Sequence, residues 1–112
     1  LPDVKALRAR KISLNRTDLI HTDESRVARI ILSPNEITTR HFHSEAVENV
    51  VCLDGCIEVH EAGSKIKVTK LVPGKIYEIS PGVVHHLINA LETESEYLLV
   101  QKGNYDFETV DA

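Results

Sequence analysis

The chain has 112 residues, 42% of them apolar and 27% charged, with a formal net charge of −4. That length bounds it to one small domain with a real hydrophobic core, and the acidic balance argues against nucleic acid as a partner. No run approaches the ~18 consecutive apolar residues of a membrane-spanning helix, and no leader pattern is visible, so no membrane partner is expected and cytoplasm is the expected compartment.

Residues 1–26 are expected to form an N-terminal segment that acts as an edge or dimer-exchanged strand, ahead of a single barrel domain over residues 27–112. Lys5, Arg8, Arg10, Lys11 and Arg16 crowd this segment, with no aromatic residue among them to stack on bases. They are taken as a solvated or subunit-contacting edge. Leu1–Arg10 could form a short helix, against which Pro2 and the apolar spacing of Leu1, Val4 and Leu7 count.

From residue 27 onward the sequence predicts strand after strand: Val27–Leu32, Glu48–Leu53, Cys56–His60, Ser64–Leu71, Ile76–Ile79, Val84–Ile88 and Tyr97–Val100. These runs are short and rich in Val, Ile and Leu. Ser33-Pro34-Asn35, Asp54-Gly55, Ala62-Gly63, Pro73-Gly74, Ser80-Pro81-Gly82 and Asn89 separate them. Glycine supplies positive φ, proline fixes φ, and Asn or Asp tolerates left-handed geometry. Strands at this spacing predict an all-β antiparallel sandwich or barrel.

Alternation assigns faces. Glu48, Val50 and Cys52 share one face of their strand, while Val51 and Leu53 give the other an apolar character that suits a subunit contact. Ile57 and Val59 are expected inside, with Cys56, Glu58 and His60 outside. Ile66 and Val68 are expected inside, with Lys65, Lys67 and Thr69 outside. Two cysteines, Cys52 and Cys56, flank the Asp54-Gly55 turn; this is no disulfide framework, and a zinc ribbon would need a second pair. Free thiols are expected.

The chemistry concentrates in His41, His43, Glu48 and His85. Two histidines two residues apart on a strand leave the same face and can reach one ion. Glu48 would add the offsetting charge, and an unpaired buried carboxylate costs several kcal/mol. Imidazole and carboxylate donors suit a divalent transition metal (Fe, Mn, Ni, Co, Cu or Zn), and the ligand types do not choose among these.

The stretch His41-Phe42-His43-Ser44-Glu45-Ala46-Val47-Glu48, followed after six residues by Gly55, resembles the first motif of the cupin superfamily. Gly74, then Ser80-Pro81-Gly82, His85 and Asn89, resembles the second. Asn35 stands where the first motif opens on glycine, and Ser80 where the second has proline. The resemblance implies an antiparallel jelly-roll β-barrel with one metal per chain held by His41, His43, Glu48 and His85 near its centre. By that register His85 is the ligand, and alternation sends His86 to the opposite face.

The resemblance implies a small-molecule substrate and a homodimer. It fits a metal-dependent enzyme of dioxygenase, isomerase, lyase or decarboxylase type acting on a small polar or carboxylated molecule. A non-catalytic module that binds or senses a sugar or small acid is the alternative, and a metal-stabilised structural domain is a third. Cys52 and Tyr97 are candidates for lining the substrate pocket, each with a plain core role beside it. Arg29 and Arg40 are candidates for anion binding, each also readable as a solvated strand residue. Catalytic residues beyond the metal ligands are not assigned.

Overall fold

A computed structural model describes residues 15–104 and 106–110. The helix considered for Leu1–Arg10, and Lys5, Arg8, Arg10 and Lys11, lie outside the described residues. Ten strands follow in order: β1 (Arg16–His21), β2 (Ser25–Leu32), β3 (His41–Phe42), β4 (Val47–Asp54), β5 (Ile57–Glu61), β6 (Lys67–Leu71), β7 (Ile76–Ile79), β8 (His85–Asn89), β9 (Ser95–Lys102) and β10 (Glu108–Thr109). Among the described residues no helix is long and apolar enough to cross a membrane.

The strands form two five-stranded antiparallel sheets, in the orders β1-β2-β9-β4-β7 and β10-β3-β8-β5-β6. This is a jelly roll. The hydrogen bonding does not close into one continuous barrel, and each sheet keeps its own edges. The core lies between the inner faces and includes Ile30, Leu32, Val50, Ile57, Val59, Leu71, Leu87 and Leu99. Alternation explains it: in β9 Ser95, Tyr97, Leu99 and Gln101 are buried while the residues between them are half-buried.

Asn35 has φ of 59° and holds its turn as a glycine would. At the Asp54-Gly55 turn, Gly55 has φ of +79°, and a side chain there would run into Ser95, whose Cα lies 3.0 Å from the Cβ position. Only glycine satisfies both demands. Cys52 and Cys56 are free and buried.

Two face assignments are corrected. Ile66 and Val68 are not inside: they are 75% and 52% exposed. In β6 the inward positions are Thr69 and Leu71, which oppose the buried Val59 and Ile57. The alternation there is offset by one residue, which turns every side chain over. Cys56 is buried rather than outward, because it precedes β5 and its N–H donates to the buried Ser95 hydroxyl at 3.1 Å. The described part of the N-terminal segment, β1, pairs with β2 at one edge of the first sheet.

Candidate metal centre

Both sheets contribute to one buried group. In the first, Glu48 on β4 lies directly opposite Gln101 on β9. In the second, His41 on β3 lies opposite His85 on β8, and His43 follows β3. The loop before β8 is tied down by the Gly82 N–H, which donates to the His43 carbonyl at 2.7 Å. All four predicted residues are buried. Each offers one donor atom, and these atoms lie within 4.8 Å of one another.

The tautomers follow from the backbone. His41 Nδ1–H donates to the Thr39 carbonyl at 2.7 Å, His85 Nδ1–H to the Val83 carbonyl at 2.9 Å, and His43 Nδ1–H to the Asp106 carbonyl. A carbonyl only accepts, so each ring carries its proton on Nδ1. Of these Nε2 atoms, that of His43 lies 3.4 Å from Glu48 Oε1 and that of His85 lies 2.6 Å from Glu48 Oε2.

Glu48 Oε2 and His85 Nε2 are fully buried, and among the described residues neither has a polar partner other than the other. Two lone-pair donors this close in a dry interior repel unless a proton or cation lies with them. Three imidazoles locked by main-chain carbonyls and one carboxylate suit a divalent transition metal.

Burial and neighbouring charge act differently on each of these residues. Burial pushes the His41 imidazole down to about 4, so it stays neutral and available as a donor. Burial works against the Glu48 carboxylate, but His43 and His85 outweigh it and hold it below the usual carboxylate range. For His43, burial is again the largest influence and favours the neutral ring. Glu48 and the Asp106 carbonyl outweigh it and raise the ring's pKa. A cation bound at the group would compete with a proton for His43 Nε2.

A cavity of about 210 Å³ adjoins the group. Its walls are largely apolar, with Ile30, Leu87, Tyr97, Leu99 and Phe107 among them, and Thr38, Thr39, Gln101 and Arg16 add polar groups. Tyr97 therefore stands in the cavity wall. Cys52 packs in the core and is not among the lining residues. Arg29 is engaged elsewhere, with Glu96 at 2.6 Å. Arg40 lies with His60 and His86 around a separate, smaller recess. The His60 and His86 rings sit 5.0 Å apart, which places His86 away from the four donors.

Several site residues escaped the sequence reading. Gln101 donates from Nε2 to Glu48 Oε1 at 2.9 Å and lies 3.3 Å from His43 Nε2. The Phe107 ring stacks on His41, centroids 4.4 Å apart and planes 22° from parallel. Asp106 supplies the His43 carbonyl partner, and its carboxylate accepts from the Ser44 N–H at 2.9 Å. Gln101 had a signal: it continues the inward alternation of Tyr97 and Leu99. Asp106 and Phe107 had none, since they come from a segment without periodicity.

Over residues 28–101 the sequence matches the family model for the cupin domain. No curated protein matches it. Among solved structures, the fold is similar to an uncharacterized conserved protein with a double-stranded beta-helix domain from Klebsiella pneumoniae subsp. pneumoniae MGH 78578. The TM-score is 0.76 at 24% identity, over 87% of this chain and 84% of that one. It is similar to an oxalate oxidase, with TM-score 0.74 at 22% identity over 85% of this chain and 54% of that one. It is also similar to KdgF from Halomonas sp., with TM-score 0.70 at 20% identity over 81% and 79% of the two chains. The chain thus spans about half the length of the oxalate oxidase, and at these identities the likeness is one of fold.

Proposed function

Because this chain belongs to the cupin domain family, we propose that His41, His43, Glu48 and His85 hold one divalent transition metal, and that the protein is a metal-dependent enzyme acting on a small polar or carboxylated molecule. The observation that carries the proposal is the pair of buried atoms Glu48 Oε2 and His85 Nε2, 2.6 Å apart with no other partner among the described residues, in a group of four donors. When bound, such an ion supplies Lewis-acid polarisation of a carbonyl or carboxylate, or activation of oxygen.

The chain's own residues do the rest. The Thr39, Val83 and Asp106 carbonyls hold the three rings with Nε2 available. Gln101 orients the carboxylate. Phe107 covers one face of His41, and the apolar wall of Ile30, Leu87 and Leu99 lowers the local dielectric around a small ligand. A cavity beside the donors supports a reaction or binding event there rather than a purely structural ion. A reaction of dioxygenase, isomerase, lyase or decarboxylase type is compatible with this arrangement, and the fold does not select among them.

The test is elemental analysis of protein purified without an affinity tag, followed by the same measurement on His41→Ala and Glu48→Ala. The unaltered protein is expected to carry about one transition-metal ion per chain. Each variant should lose roughly tenfold or more in metal content, beyond the loss typical of an outer partner. Unchanged metal content in both variants would overturn the proposal. Turnover assays with the identified metal then separate an enzyme from a binding module, which would be stabilised by its ligand without forming product.

A further inference from the structure

Among the described residues, the cavity beside the four donors has one arginine or lysine in its wall, Arg16, and its placement follows from the sheet register. Arg16 on β1 lies opposite Ile30 on β2, and Ile30 opposite Tyr97 on β9. Residues directly opposed across an antiparallel sheet share a face. Ile30 and Tyr97 are buried on the inner face, so Arg16 extends the same row at the sheet edge, over the cavity.

We propose that Arg16 is the anion-recognising residue of this cavity, and that the ligand is a short organic carboxylate held between Arg16 and the His41, His43, Glu48 and His85 group. The inference rests on the metal-centred function above and narrows its substrate class.

Three features support it. Among the described residues Arg16 is engaged through Nε alone, whose N–H donates to Asp18 at 3.0 Å. That bond uses Nε and leaves the Nη groups to meet a carboxylate in the paired geometry arginine favours. Asp18 itself is exposed, so its ion pair with Arg16 is screened by solvent and weak. The remaining wall is largely apolar, which strengthens the attraction of a guanidinium for an anion entering the cavity. Finally, the cavity, at about 210 Å³, is at the small end for a ligand pocket, which suits a short-chain acid.

The test is calorimetric titration of pyruvate, malonate, succinate and glutarate, and of their neutral amides, into metal-loaded protein. The unaltered protein, Arg16→Gln and Arg16→Lys are compared, with the metal content of each measured in parallel. At least one acid is expected to bind the unaltered protein while its amide does not. Arg16→Gln should weaken that binding by roughly tenfold or more, and Arg16→Lys should keep part of it, with equal metal content throughout. Acid binding unchanged in Arg16→Gln overturns the assignment. So does binding of the amides as tight as that of the acids, no binding of any acid, or a preference for inorganic phosphate or sulfate. If none of the three proteins retains metal, the metal-centred function fails, and the same titrations on metal-free protein decide the role of Arg16 separately.

Discussion

His41 shows how burial prepares a donor. Its ring is pushed down to about 4 from an ordinary 6.5. As pH falls below 6.5 the unfolded chain takes up a proton there, while the folded protein does so only near 4. Stability of the metal-free protein therefore falls across that window, by on the order of 3 kcal/mol from this residue, and is flat above it. His43 is raised, so its contribution has the opposite sign: present below 6.5 and lost as pH rises through its folded value. Urea unfolding of chelator-treated protein at pH 7.5 and 4.5 checks this, with His41→Ala expected to lose less stability between the two than the unaltered chain. An equal loss in both would refute it. At this scale His41, His43 and Glu48 were legible as a group because they are close in the chain, and His85 joined them only through the register of the second motif. Gln101 became a partner of Glu48 only through the pairing of β4 with β9. The carbonyls of Thr39, Val83 and Asp106 are main-chain atoms that no residue type announces.

Among elements, β4, β5, β8 and β9 were readable because each presents one face to a shared core, so alternation and burial coincide. At the sheet edge, β6 was misread: Ile66 and Val68 are apolar but face away from the core. β10 is two exposed residues and has no sequence signature. The end of β8 shows what holds neighbouring segments together. Asn89 is fully buried, and its amide donates to the carbonyls of Leu32, Ser33 and Thr93 at 3.2, 2.9 and 2.8 Å. Its Oδ1 accepts from the Leu91 N–H and the Ser95 hydroxyl. One side chain thus joins β2, β8 and β9. Asn89→Ala strips partners from several buried groups and is expected to cost about 3 kcal/mol in denaturant unfolding, with the metal content of the folded protein kept. A loss below about 1 kcal/mol would mean that the neighbouring groups find other partners.

At the scale of the whole molecule, the outer face of the first sheet is more apolar than a free surface requires. Val27 and Val100 are cross-strand partners there, as are Leu98 and Val51, and all four are only half-buried. Ile76, beside Val51, is 63% exposed. The Arg29–Glu96 pair lies in the same face. Two copies stacked through this face would remove a continuous apolar surface from water. The expected outcome is a light-scattering mass twice that of the chain, reduced toward one chain by Val51→Lys. A single-chain mass at high concentration would exclude the pairing. The second apolar layer of β4 was legible from Val51 and Leu53 alone. Its extent over four strands, β2, β9, β4 and β7, depends on the strand order, which no local pattern encodes.

Because the imidazoles are clamped by main-chain oxygens, their proton arrangement depends on the path of the backbone rather than on the surrounding side chains. The lining of the cavity can then be exchanged, position by position, without resetting the coordinating atoms. Such a scaffold separates the tuning of what the cavity accepts from the upkeep of the His41, His43, Glu48 and His85 group, and residues such as Ile30, Leu87 and Leu99 are where a new selectivity would be written.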